Sequence, residues 1–152
     1  MTRSRTVLRK ISIALAAAAS AAVLVPATAS ADATDDYPIP NRMLKTTCTV
    51  DQYMAAVRDT DPVYYERYMI DYNNKSPDVQ QGARDRIYWY FSLEYPGRRA
   101  YSEHVATNVF YEQMAFRWPN WAKLFFNNKG VVAHGTEVCA NYPPHDPSVW
   151  VW

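Results

Sequence analysis

The chain has 152 residues, 49% of them hydrophobic, with 16 Lys and Arg against 15 Asp and Glu. Four of the basic residues and none of the acidic ones fall in the first 31 positions, so the remainder carries 12 basic against 15 acidic residues, net −3. That length supports one domain with a modest core, and that balance argues against a nucleic-acid binder, which would show a basic patch or stripe.

The first 31 residues read as a secretory signal. Arg3, Arg5, Arg9 and Lys10 form a basic start, Ile11 to Val25 is a mostly apolar run, and Ala29-Ser30-Ala31 has the small-x-small pattern of a cleavage site. Cleavage is expected between Ala31 and Asp32. The apolar run is short and Ala-rich beside the roughly 20 residues a spanning helix needs. No second such run follows, so no transmembrane span is expected after cleavage.

Residues 32–47 read as an acidic, Pro-containing N-terminal arm, with Asp32 to Asn41 exposed. Residues 48–139 read as a helical domain. Cys48 and Cys139 are the only cysteines, and a single pair in an exported chain is expected to form one disulfide. No CxxC spacing suggests redox chemistry, and two isolated cysteines do not make a zinc site.

Thr49 and Gln52 form a capping-box pattern ahead of Val50, Tyr53, Met54 and Val57, which predicts a first helix. Asp61 and Pro62 open a second, with Tyr65, Tyr68, Met69 and Tyr72 on one face. Ser76-Pro77-Asp78 opens a third, which Pro96-Gly97 is expected to end. Its last turns, Ile87 to Tyr95, hold five aromatic residues almost all round the helix, so this end is expected to be buried on several sides or to contact something else. A fourth helix is predicted from Tyr101 to Phe116, and a short fifth through Lys123 to Phe125, with Gly130 as its left-handed terminator. Val131 to Cys139 reads equally as helix or extended chain. Residues 140–152 form a Pro/Trp-rich C-terminal tail. The whole predicts an all-α fold, a small bundle of four to five short helices closed by one disulfide.

Catalytic patterns are thin. G-x-S-x-G, H-E-x-x-H and a P-loop are all missing, and there are three histidines, His104, His134 and His145. Glu103 and Glu112 could serve as an acid–base pair, although helical carboxylates are mostly solvated. His134 with Glu137, and His145 with Asp146, fall short of the three or four ligands of a stable zinc site, so no metal is expected. Tyr101, His104, Asn108 and Tyr111 recur at spacings of three and four, which puts them on one helical face. Such a face can bind a ligand, including haem through His104 or a tyrosine, or can be a hydrogen-bonded, half-buried surface with no ligand. No cofactor is otherwise expected.

The aromatic content, 12 Tyr, 5 Trp and 5 Phe, can fill a core, form a recognition surface or line a cavity for a planar or acyl ligand. Tyr88 and Trp89 fall off the apolar face of the third helix, and Trp150 and Trp152 close the tail. These four are candidates for a partner surface, and the tail's tryptophans can equally dock on their own domain or at a lipid interface.

The leader, the Cys48–Cys139 frame and the segments Asp71-Tyr72-Asn73 and Tyr95-Pro96-Gly97-Arg98-Arg99 resemble a family of small secreted actinobacterial, chiefly mycobacterial, proteins of unknown function. That resemblance implies localisation and fold size, and no activity. The cysteine frame and the Tyr/His face are similar, more faintly, to mycobacterial haemophore-like proteins. The expectation is a secreted, non-catalytic helical protein that binds an unknown protein or envelope component. The alternative is a carrier of haem or another hydrophobic small ligand.

Overall fold

The computed structural model describes residues 36–108 and 110–152, with the Phe116 side chain and the expected signal segment outside the described residues. The described residues form eight α-helices and two 3-10 turns, with no strand among them. The helices are α1 (Asn41–Lys45), α2 (Val50–Thr60), α3 (Pro62–Asn73), α4 (Pro77–Ser92), α5 (Tyr95–Thr107), α6 (Gln113–Arg117), α7 (Pro119–Phe125) and α8 (Lys129–Val138). The 3-10 turns are Cys139–Asn141 and Pro147–Trp150. The all-α class holds, and the expected four to five helices are an undercount.

The centre of the fold is α2. Its capping box is complete: the Gln52 amide donates to Thr49 Oγ1 at 3.2 Å, and the Thr49 amide donates to Gln52 Oε1 at 2.9 Å. Every residue from Val50 to Val57 except Gln52 is buried, because α3, α4, α8 and both 3-10 turns surround the helix. Polar Asp51 shares that burial. The disulfide Cys48–Cys139 joins the start of α2 to the end of α8, 91 residues away in sequence.

Contact between α2 and α8 depends on Gly135. A Cβ at this position would lie 2.6 Å from the Tyr53 ring and 2.8 Å from a Val57 methyl, both in the packed core. At Gly82, inside α4, a Cβ would meet nothing within 4 Å. Alanine is better than glycine in a helix by about 0.8–1.0 kcal/mol, whereas overpacking a core costs about 1–3 kcal/mol. Gly82→Ala is therefore expected to raise stability by about 1 kcal/mol and Gly135→Ala to lower it by about 1–2 kcal/mol, measured by urea unfolding.

Several helix boundaries differ from expectation, each for a local reason. Pro96-Gly97 opens α5 instead of closing α4, which stops at Ser92 with Leu93 extended. Proline is tolerated in a helix's first turn because the amide it lacks has no partner there. Gly130 is the second residue of α8 and has no positive φ; the Asn128 side chain caps that helix through the Gly130 and Val131 amides. The fourth predicted helix breaks at Asn108, so its two ends are α5 and α6.

The N-terminal arm packs from Ile39 onward: Ile39, Pro40, Met43 and Leu44 are buried and α1 lies on α5 and α8. Arg98, 5% exposed, fastens this region by donating to Met43 O at 3.2 Å, Thr46 O at 2.7 Å and Phe91 O at 2.7 Å. The tail also docks on its own domain. Gln52 Nε2 donates to Tyr142 O, Thr49 Oγ1 to Pro144 O and the Tyr65 hydroxyl to Val149 O, at 2.7–2.9 Å. Trp150 enters the core edge-on to Tyr68 and beside Tyr72, while Trp118 stacks on Tyr68 at 5.4 Å.

Candidate partner-binding face

The last turns of α4, the body of α5 and the link to α6 build one aromatic surface over an ion pair between buried Glu112 and partly exposed Arg86. Glu112, 3% exposed, is its base. One carboxylate oxygen accepts from Arg86 Nε at 2.7 Å and from the Tyr101 hydroxyl, and the other accepts from the Met114 amide at 2.9 Å as the cap of α6. This explains why the chain leaves the helix at Asn108. A continuous helix could not place Glu112 at the start of a new one while its carboxylate reached Arg86 on α4. Burial, and then the bond to Glu112, hold the Tyr101 phenol far above its ordinary pKa of 10.0, so Tyr101 is a neutral donor.

Above this base the rings lock together. The Arg86 guanidinium lies 4.2 Å over the Trp89 ring, and Trp89 meets Tyr101 edge-on at 5.6 Å. Tyr111 lies 5.8 Å from Tyr101 and stacks on the His104 ring at 5.0 Å. Trp89, His104, Phe110 and Tyr111 are all exposed, the first at 40%. Asn108 is exposed too and accepts from the Phe110 amide, which sets the course of the link.

Of the residues expected on one helical face, the structure brings Tyr101, His104 and Tyr111 together and leaves Asn108 in the turn that returns Tyr111. The grouping arises from a fold-back, since Tyr111 lies outside α5. The four candidates for a partner surface divide. Trp89 belongs to the face just described. Tyr88 is exposed to the same degree as Trp89, but its hydroxyl donates to Asp51 and its ring lies 6.0 Å from Trp150. Trp150 is 7% exposed and its indole N–H donates to Asp51 Oδ1 at 3.2 Å, so it serves the core. Trp152 is exposed, with its carbonyl accepting from Asn73 Nδ2.

The carboxylates considered for acid–base work are far apart in role. Glu103 pairs with Arg99 at the surface, and Glu112 is enclosed by its donors. His134 Nδ1 lies 3.1 Å from Asp61, and among the described residues no three His, Cys, Asp or Glu side chains are placed to hold a metal ion. Sequence reasoning missed Arg86, whose spacing of three from Trp89 within a helix was the available signal. It also missed Asp51 and Arg98, charged residues that sequence pattern alone places on the surface.

The arrangement offers exposed rings packed on one another above the Arg86–Glu112–Tyr101 hydrogen bonds, which suits recognition. No helix among the described residues is long and apolar enough to cross a membrane. No curated protein matches the chain. A family model described as a domain of unknown function (DUF5078) matches residues 34–152, and the chain belongs to that family.

Proposed function

We propose that the protein is an exported, non-catalytic binding module that captures a protein or envelope component through the face formed by Trp89, His104, Phe110 and Tyr111. One observation carries this reading: exposed rings sit on a buried Glu112–Tyr101 pair that a partly exposed Arg86 closes, and so present contact area already ordered. Aromatic contacts of this kind dominate interface energies and lose little entropy on binding. Export through the 31-residue leader agrees with the disulfide, which persists in oxidising compartments.

The test is a binding isotherm of the purified protein on the envelope fraction of its source cells. Phe110→Ser combined with Tyr111→Ser is expected to weaken saturable binding about tenfold or more while leaving the melting temperature close to wild type. Equal binding by wild type and variant would remove the reading. The covalent mass of protein recovered from the source medium checks the leader, with removal before Asp32 expected.

A second reading, a carrier of haem or another hydrophobic small ligand, is favoured by the exposed His104 ring stacked on Tyr111. Because the Tyr101 hydroxyl is engaged by Glu112, iron would fall to His104 or Tyr111. A saturable Soret shift with ferric haem, lost in His104→Ala, supports this reading, and the lack of any saturable shift removes it.

A further inference from the structure

A second site lies away from the aromatic face. Between the start of α2, the end of α4 and the tail is a pocket of about 260 Å³. Val50, Phe91, Tyr88 and Pro144 supply apolar wall, and no Asp or Glu lines it. Arg98 is the buried cation on its lining.

The bonds of Arg98 leave it incompletely matched. A guanidinium has five N–H donors. Three are used here, all on backbone carbonyls, and Nε has no partner. Clamping Met43, Thr46 and Phe91 accounts for the hydrogen bonds used. The Tyr90 and Phe91 rings also lie 5.5 and 5.4 Å from the guanidinium, but rings and carbonyl dipoles carry no net charge, and a buried cation is costly without an anion. A carboxylate is the group whose geometry and charge a guanidinium matches best.

We propose that this pocket binds a small monocarboxylate with an apolar body, its carboxylate drawn to Arg98 and its acyl chain or single ring lying against Val50, Phe91 and Pro144. The volume falls below the roughly 300–1,000 Å³ typical of drug-sized ligands, which sets the scale at medium-chain acyl or single-ring acids. None of the lining residues belongs to the Trp89–Tyr111 face, so either site can fail without the other.

The test titrates the purified protein with octanoate, octanol and octylamine while backbone amides are followed by NMR. Octanoate is expected to give saturable shifts centred on Val50, Phe91 and Ser92, with affinity about tenfold or more above that of octanol, and octylamine no binding there. Arg98→Gln is expected to bring octanoate down to the affinity of octanol. Because Arg98 also fastens the fold, Ser92→Trp provides a second variant: Ser92 is exposed at the pocket's edge, and the indole is expected to abolish binding with the fold intact. Equal affinity for octanoate and octanol, shifts centred elsewhere, or no saturable shift with octanoate would overturn the proposal.

Discussion

Asp51→Ala is expected to unlatch the C-terminal tail and lower stability by about 2–4 kcal/mol, measured by urea unfolding. Asp51 is 4% exposed and accepts from three donors, none of them cationic: the Tyr88 hydroxyl, Trp150 Nε1 at 3.2 Å and the Asp146 amide at 3.1 Å. Its place in the first turn of α2 adds the positive end of the helix dipole. Alanine leaves the Asp146 amide without its acceptor and opens a gap behind Trp150. The Trp150 indole keeps a bond to the Tyr88 hydroxyl at 3.2 Å, so the loss stops short of a complete orphaning. Hydrogen exchange at residues 146–150 should accelerate more than the global change in stability explains.

The isosteric Asp51→Asn has a gentler effect, about 1–2 kcal/mol, and a distinct pH signature. Burial first, and then the bond to the Asp51 carboxylate, push the Tyr88 phenol up from its ordinary 10.0 to about 12. The folded state thus keeps the Tyr88 proton more tightly than the unfolded state. The resulting stabilisation is fully present below pH 10 and disappears as pH rises through 12. In Asp51→Asn the carboxylate's share is lost and the burial share stays, so the Tyr88 titration should move part of the way toward 10. An unchanged Tyr88 titration would contradict the latch.

Removing the disulfide is expected to have the largest single effect. Replacing Cys48 and Cys139 together by Ser frees a loop of 91 residues, for which the chain-entropy relation gives about 4–5 kcal/mol. Both sites are buried, so the introduced hydroxyls add to the loss. The reduced wild type should show a lower urea midpoint, and the double variant a still lower one by the cost of its buried hydroxyls. A displacement below about 1 kcal/mol would mean that packing of α2 on α8 alone holds the two ends together.

Where a local signal has one physical meaning, the sequence could be read. Thr49 and Gln52 satisfy each other's amides wherever they open a helix, and the expected capping box is present. Two cysteines allow one pairing, and it forms. Where a signal has two meanings, the reading failed. Pro96-Gly97 can stop one helix or start another, and Gly130 can end a helix or sit in a first turn. Only tertiary context chooses between them.

The break at Asn108 accompanies a contact no local pattern reveals, that of buried Glu112 with Arg86, 26 residues earlier. The same limit governs the sites. Helical spacing groups Tyr101, His104, Asn108 and Tyr111, whereas Tyr101, His104 and Tyr111 meet through a fold-back that spacing does not encode. The partnerships of Asp51 with Trp150 and of Arg98 with Met43 join residues 99 and 55 positions apart, beyond the reach of any local pattern.

The most direct test of the binding face places a photo-crosslinking amino acid at Phe110, and separately at exposed Glu66 on α3, and irradiates each protein with its source envelope fraction. One discrete adduct is expected from position 110, competed by excess unlabelled wild type and lost when Tyr111→Ser and Trp89→Ala are added, with no such adduct from position 66. The same adducts from both positions, or none from position 110, would contradict the binding face.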